Sequence, residues 1–217
     1  MQRPARVLIV DDHPIVRQGY AQLIGNQPDM EVCGFAATEN EALLQVKQTP
    51  PDLAVIDITL KDSYGISLIQ RIHTLSSDVR MLVVSAHDEN LFAERVLEAG
   101  ALGYINKQEA TDRLIQGIRS VLKNEIYVSE GMTRRLIRRR LHGKDSEPGS
   151  LLESLSNREF EVFQLIGQGM ATRQIASHMH LSPKTIERYK ENLKEKLHLS
   201  SATELVQRAT RWILQQE

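Results

Sequence analysis

Five polar residues stand directly behind, or just past, short apolar runs in the first half of the chain. Asp11 and Asp12 follow Val7 to Val10, Asp57 follows Leu53 to Ile56, Ser85 closes Met81 to Val84, and Lys107 lies just past Gly103 to Ile105. If they meet, three carboxylates, a hydroxyl and an ammonium share one rim. Three close carboxylates do not all stay ionised cheaply unless a cation joins them. A small hard cation that keeps several of its waters suits such a cup, and a lysine ammonium adds a point charge. One aspartate at a strand end is usually a helix cap, but that explanation does not cover five polar groups at matching positions.

The elements around these residues decide whether they meet. Strands are expected at Val7–Val10, Glu31–Ala36, Leu53–Ile56, Met81–Val84 and Gly103–Ile105. Helical patterns fill the gaps at Ile15–Ile24, Asn40–Gln48, Gly65–Leu75, Leu91–Ala99 and Ala110–Leu122. Several strands are continuous β-branched or leucine runs, as in a parallel sheet covered on both faces. Five such βα units predict a doubly wound, flavodoxin-like sheet of strand order 2-1-3-4-5. Active sites of these sheets lie beyond the carboxyl ends of the strands. The five polar residues are then neighbours.

Composition bounds the rest. The chain of 217 residues is long enough for two domains, and its 41% hydrophobic content is enough for real cores. No apolar run approaches the ~18 residues that cross a bilayer, and the stretch before the first strand is too short for a signal peptide's charged region. We therefore expect no membrane partner and a cytoplasmic location. The single cysteine, Cys33, forms no internal disulfide and is expected to pack beside Val32 and Phe35. The net charge of −1 hides an asymmetry. Residues 1–122 carry 11 Lys+Arg against 16 Asp+Glu, residues 123–149 carry 7 against 4, and residues 150–217 carry 9 against 8. An acidic front and a basic middle suggest units with different partners.

The runs VLIVDDH, VIDITL, VVSAH and GALGYINK, in that order, closely resemble the receiver domains of bacterial two-component response regulators. The resemblance implies that Asp57 accepts a phosphoryl group from a phosphohistidine on a sensor histidine kinase. It implies that Asp11, Asp12, Asp57 and the Thr59 backbone carbonyl hold Mg²⁺, and that Lys107 and Ser85 contact the phosphoryl oxygens. Tyr104 matches the family's switch aromatic, whose ring turns inward as the Ser85 hydroxyl moves. His13 resembles a helix-start residue, with a metal or phosphoryl contact as the alternative. Where many receivers have Met-Pro after the phosphorylated aspartate, this chain has Leu60, Lys61 and Asp62, a difference that bears on phosphoryl lifetime or kinase choice.

The last third shows four short helical patterns and no strand. Ser156 with Glu159 forms a capping box ahead of an apolar stripe, and Gly167 and Gly169 end that helix. Thr172 is expected to cap the second, with Ile175, Ala176 and Met179 turned inward. Ser182 and Pro183 open the third, with Ile186, Tyr189, Leu193 and Leu197 on its inner side. Ser201 and Glu204 form another capping box before the fourth.

The stretch from Leu155 to Leu197 resembles the LuxR-type helix-turn-helix, and the two halves together resemble the NarL/FixJ subfamily. The resemblance implies double-stranded promoter DNA as partner and the helix from Pro183 as the one that enters the major groove. Arg188 is the expected base reader, with Glu187 and Glu191 either accepting from cytosine or orienting cations. Ser182, Lys184, Thr185, Lys190, Asn192 and Lys196 are the expected phosphate contacts. Tyr189 stands where the family commonly has histidine.

These readings place a receiver over 1–122, a linker over 123–149 and a helix-turn-helix domain over 150–217. Arg134, Arg135, Arg138, Arg139 and Arg140 crowd a short helix within the linker, serving solubility, the receiver or DNA. Phosphorylation is expected to promote a homodimer through the last helix, around Ser201 to Val206, with RNA polymerase as a further partner. No enzyme function beyond the receiver's own signal reset is expected. Two rivals stand beside this reading. One is a DNA binder that is never phosphorylated, and the other is a Mg²⁺-dependent phosphatase of similar sheet topology. The complete rim argues against the first and the DNA-binding motif against the second.

Overall fold

The computed structural model describes residues 3–60, 63–142 and 151–215. The chain forms two compact units, Met1–Gly143 and Lys144–Glu217. Among the described residues no helix is long and apolar enough to cross a membrane.

In the first unit, strands β1 (Ala5–Val10), β2 (Met30–Ala36), β3 (Leu53–Ile56), β4 (Arg80–Ser85) and β5 (Gly103–Asn106) form one parallel sheet of order 2-1-3-4-5. Helices α1 (Pro14–Gly25), α2 (Glu39–Gln48), α3 (Gly65–Leu75), α4 (Glu89–Glu98) and α5 (Ala110–Leu122) connect the strands. All four residues of β3 are buried, as are Val7 to Val10. That double-sided burial is why these strands read as unbroken apolar runs. On α5, Leu114, Ile118 and Val121 recur at helical spacing and are fully buried, each stabilising the fold by roughly 1.5–3 kcal/mol.

Helix starts follow local hydrogen-bond chemistry. The Thr38 side chain accepts from Glu41 N–H at the start of α2, and that of Asp88 accepts from Asn90 N–H at the start of α4. Because Asp88 caps α4, that helix begins two residues before the expected Leu91. The register of β1 on β2 skips Cys33, which is half-buried and carries a free thiol. Burial pushes that thiol's pKa up, so it is a poor nucleophile.

The linker expected over 123–149 begins later than residue 123. Tyr127 makes a parallel bridge with Gly103, donating its N–H to Leu102 O and accepting from Tyr104 N–H, at 2.9 and 2.8 Å. Helix α6 (Glu130–His142) follows and belongs to the first unit. Its attachment runs through side chains that meet only in three dimensions, which is why it read as part of a linker. The stretch from Gly143 to Ser150 lies outside the described residues, as do Lys61 and Asp62 of the departure noted above.

The second unit contains α7 (Asn157–Gly167), α8 (Thr172–His178), α9 (Pro183–Lys196) and α10 (Ala202–Leu214), preceded by a 3₁₀ turn at Leu151–Ser154. Trp212 of α10 meets Phe160 edge-on at 5.4 Å between centroids and Phe163 at 6.0 Å. Gly167 lets α7 and α10 touch, since a Cβ there would lie 2.6 Å from Ala209 O.

Three start and stop signals merit comparison with expectation. The Ser156–Glu159 capping box is present in both directions. At α10 the Ser201 hydroxyl accepts from Glu204 N–H, and the Glu204 carboxylate takes the N–H and hydroxyl of Ser200. At α8 the cap position is Ala171, not Thr172. The Ala171 N–H donates to Gln174, and the Thr172 hydroxyl is drawn away to α9.

Helix α8 closes with His180 in the left-handed region at φ 54°, its N–H bonded to Ser177 O and that of Leu181 to Ala176 O. Glycine occupies this conformation without the Cβ penalty. We expect His180→Gly to stabilise the second unit by about 0.5–1 kcal/mol, after allowing for glycine's greater freedom in the unfolded chain. The midpoint of urea unfolding measures this, and a lowered midpoint contradicts it.

Candidate functional site

Asp11, Asp12, Asp57 and Lys107 meet at the carboxyl ends of the strands, and Ser85 closes β4 on the same edge. Backbone hydrogen bonds set the frame, with Asp11 N–H donating to Ala36 O at 3.1 Å and Asp57 N–H to Val10 O at 2.8 Å. Asp11 and Asp57 are 1% and 2% exposed. Lys107 Nζ donates to Asp11 Oδ2 at 2.8 Å and to Asp57 Oδ2 at 2.7 Å. The other carboxylate oxygens accept backbone N–H groups. His13 N–H reaches Asp11 Oδ1 at 2.7 Å, and Thr59 N–H reaches Asp57 Oδ1 at 3.1 Å.

Burial pushes the Asp57 carboxyl up to about 6, against the pull of Lys107 and the Thr59 N–H, with Asp11 adding to the rise. For Lys107, burial works toward a lower pKa, but Asp57 and Asp11 outweigh it and hold the ammonium above its ordinary range. The ammonium is therefore fully charged at neutral pH, whereas Asp57 carries an electrostatic load from its burial. A cation added at this rim relieves that load.

The residues fit a metal. Ligand atoms of Asp11, Asp12, His13 and Asp57 all lie within 4.8 Å of one another. Asp12 Oδ1 is buried and accepts no hydrogen bond, although the His13 ring nitrogen Nδ1 is 2.8 Å away. A buried carboxylate oxygen without a donor is costly unless something positive meets it. The acidic cluster characteristic of a Mg²⁺-binding phosphorylation pocket is thus present.

Ser85 is fully buried, and its Oγ accepts from His87 N–H at 3.3 Å. Tyr104 is 1% exposed, with its hydroxyl donating to His87 O at 2.7 Å. Burial pushes the phenol's pKa up, opposed by a hydrogen bond with Ser85. The ring thus sits inward, beside the loop that leads into α4.

Three more residues join this region: His13, read as a helix start with a metal or phosphoryl contact as the alternative, and His87 and Tyr20, which had no site role in the sequence. His13 is at the cap position of α1 as expected, but makes no side-chain cap and lies against Asp11 and Asp12 instead. The His87 ring nitrogen Nε2 is 3.1 Å from Thr59 Oγ1, and the ring stacks on Phe92 at 4.6 Å. Its position two residues past Ser85 was the available signal. The Tyr20 phenol, on α1, is pushed up to about 12, chiefly by burial, and feels Lys107, Asp11 and Asp57. The sequence placed Tyr20 within the helical stretch Ile15–Ile24 and gave it no site role.

In the second unit α9 presents two kinds of polar residue. Lys184, Glu187, Arg188 and Glu191 are exposed, while Ile186, Leu193 and Leu197 are buried as expected. Tyr189 is half-buried. Ser182 caps the helix, accepting from Thr185 N–H at 3.1 Å, and its hydroxyl meets that of Thr185 at 2.8 Å.

Others are tied to neighbouring helices. Lys190 Nζ donates to Thr172 Oγ1 at 2.8 Å, and the same hydroxyl donates to Glu187 Oε1 at 2.8 Å. Lys196 Nζ donates to Glu159 Oε2 at 2.7 Å, and Asn192 to Glu159 Oε1 at 3.3 Å. Burial alone raises the Glu159 pKa, but Lys196 and Ser156 outweigh it and lower it. Glu191 pairs with Lys194 at 2.8 Å. Lys184 and Arg188 thus form the cationic part of the exposed face near the start of α9.

Comparison with known proteins agrees with this geometry. Residues 7–119 match the family described as response regulator receiver domain, and residues 153–209 match the bacterial regulatory proteins of the luxR family. The chain is 32% identical over 208 residues to the oxygen regulatory protein NreC of Staphylococcus carnosus (strain TM300), covering 94% of this chain and 96% of that protein. It is 34% identical over 206 residues to BvgA of Bordetella pertussis (strain Tohama I), described as a putative positive transcription regulator of virulence factors, covering 95% and 97%. In fold it is similar to RcsB of Salmonella enterica serovar Typhimurium bound to promoter rprA, with a TM-score of 0.75 at 23% identity, over 96% of this chain and 99% of that one. The chain belongs to the two-component response regulators of the NarL/FixJ type, DNA-binding proteins activated by phosphorylation of a receiver aspartate.

Proposed function

We propose that Asp57 is the phosphoacceptor and that its phosphorylation controls how α9 engages promoter DNA. The observation that carries this reading is the pair of hydrogen bonds that Lys107 donates to Asp57 and Asp11, at 2.7 and 2.8 Å. It holds a nucleophilic carboxylate beside a charge able to grip the incoming anion. Phosphoryl transfer asks for such positioning and neutralisation more than for other covalent chemistry.

The donor is the phosphohistidine of a sensor histidine kinase. An Asp57 oxygen attacks phosphorus, the P–N bond breaks as the P–O bond forms, and the imidazole leaves with the electron pair and takes up a proton. Lys107 stays on the phosphoryl oxygens, and the Ser85 hydroxyl donates to another. Asp11, Asp12, Asp57 and the Thr59 carbonyl would hold Mg²⁺, which would neutralise phosphoryl charge there. Movement of Ser85 toward the phosphoryl group bears on Tyr104, and through the His87 carbonyl on the start of α4.

The output is DNA binding by the domain over 150–217, while the receiver over 1–122 takes the signal. Arg188 reads a base edge, and Lys184, Thr185 and Ser182 meet phosphates. Dimerisation through α10 doubles the length of DNA read; Val206, 46% exposed on that helix, supports an outward apolar face. RNA polymerase is the further partner at a promoter.

Intact-mass spectrometry after incubation with acetyl phosphate and Mg²⁺ tests the reading. One phosphoryl group, about 80 Da, is expected on the native chain and none on Asp57→Ala or without Mg²⁺. An adduct that persists in Asp57→Ala moves the acceptor elsewhere. A native chain that takes no phosphoryl group, from acetyl phosphate or from a phosphorylated histidine kinase, ends the proposal.

A further inference from the structure

Glu187 lies on the exposed face of α9, one residue before Arg188. Two groups hold its carboxylate. The Thr172 hydroxyl, on α8, donates to Glu187 Oε1 at 2.8 Å, and Lys190 Nζ is 3.4 Å from the same oxygen. Lys190 in turn donates to the Thr172 oxygen at 2.8 Å. The three groups close a ring, with two members on α9 and one on α8. A charged pair three residues apart on an exposed helix orders its side chains only weakly. A hydroxyl from a second helix orders both, because it accepts from one and donates to the other.

The ring leaves one oxygen outward. The Glu187 side chain is 55% exposed, and among the described residues its Oε2 accepts no hydrogen bond. The Thr172 hydrogen bond, helped by the Lys190 charge, holds the carboxyl below its usual range against the effect of burial. At neutral pH it is ionised and can only accept. In the major groove guanine presents two acceptors, thymine an acceptor and a methyl group, and adenine an acceptor beside its amine. Cytosine presents a donor alone. A fixed acceptor meets its match there, whereas at guanine or thymine two acceptors face each other with no proton between them. Lys190 also offsets the repulsion between this carboxylate and the DNA phosphates.

We propose that Thr172 is a specificity-determining positioning residue, which fixes Glu187 so that Oε2 accepts from the N4 amine of a cytosine in the major groove. It rests on the DNA-binding reading of α9. Thr172 touches no base itself. It removes beforehand the rotamer freedom that an untethered glutamate loses on meeting the base. It also keeps the Lys190 ammonium on α8, away from the guanine edge that a lysine would otherwise seek at the same step.

The test lets the full chain, phosphorylated with acetyl phosphate, select from duplexes carrying about 20 randomised base pairs, enough for two half-sites. The selected duplex and its single-position changes are then titrated by fluorescence anisotropy. The native chain is expected to require cytosine at one position of each half-site, with thymine or guanine there weakening binding at least about fivefold. In Thr172→Val, which keeps the shape and loses the hydroxyl, and in Glu187→Ala, the same change should cost less than about twofold. Discrimination at the other positions and the thermal midpoint should stay native in both. Thr172→Ser keeps the hydroxyl and should restore the preference for cytosine. Native discrimination in Thr172→Val, or an equal loss on every duplex, overturns the proposal and leaves α9 as the DNA-binding helix. A native chain that binds no duplex removes both readings.

Discussion

Asp57→Asn will make the metal-free chain more stable at neutral pH, by up to about 3 kcal/mol. Asp57 is 2% exposed, and its carboxyl is pushed up from 3.8 to about 6, chiefly by burial. A shift of about two units corresponds to roughly 3 kcal/mol between the two protonation states. The sign follows from proton binding. Between about pH 4 and pH 6 the folded chain holds this proton more often than the unfolded chain, so stability falls as pH rises through that window. Above the folded pKa the full cost is present, and below the unfolded pKa it vanishes.

Asparagine keeps the shape without the charge, and Lys107 keeps Asp11 as partner. The difference between native and variant chains, measured by urea unfolding in chelator at several pH values, isolates Asp57 from other groups. It should open from near zero at pH 4 to its full size near pH 7. Added Mg²⁺ then stabilises the native chain more than the variant, because it binds the folded cup. A flat difference across pH 4–7, or equal Mg²⁺ stabilisation of both, contradicts the electrostatic account of this site.

Gly65→Ala will destabilise the first unit by about 2–3 kcal/mol and sharply reduce phosphoryl uptake at Asp57. A Cβ at Gly65 would sit 2.5 Å from Ile58 Cα, 2.8 Å from Ile58 O and 2.9 Å from Asp57 O. All three are backbone atoms, so no rotamer change relieves the clash. The Gly65 N–H also donates to Ile58 O at 2.9 Å, pinning the start of α3 against the phosphoacceptor loop. Displacing that loop moves Asp57 relative to Lys107, and overpacking of this kind costs about 1–3 kcal/mol or more.

Gly19 on α1 is the comparison, since a Cβ there meets nothing within 4 Å. Gly19→Ala should stabilise by about 0.5–1 kcal/mol through helix propensity alone. Thermal unfolding of both variants, with acetyl phosphate labelling, checks the pair. If Gly65→Ala behaves like Gly19→Ala, the close approach is not the constraint described here.

Much of the architecture was legible in the residues because its causes are local. Unbroken apolar runs marked the strands, since a sheet covered on both faces has no polar side to alternate with. Ser156 with Glu159, and Ser182 with Pro183, marked helix starts because each satisfies backbone donors within one turn. The meeting of Asp11, Asp12, Asp57 and Lys107, with Ser85 on the same edge, followed from topology, because every parallel strand ends on that edge.

What the tertiary structure alone decided concerns side chains that meet across long separations. Thr172 looked like a cap, but Glu187 and Lys190 of α9 claim its hydroxyl, and Ala171 takes the cap position. Lys196 and Asn192 looked like plain phosphate contacts, yet both bond Glu159 on α7. His87 acquired a place at the site only when folding brought it to Thr59. Helix α6 read as linker because its hold on the first unit depends on Glu89, Asn90 and Glu94 of α4. Periodicity and capping report what a residue does to its own turn. Which of several possible partners a long polar side chain takes is set by the energy of desolvating and pairing it in the assembled fold, and no local pattern encodes that choice.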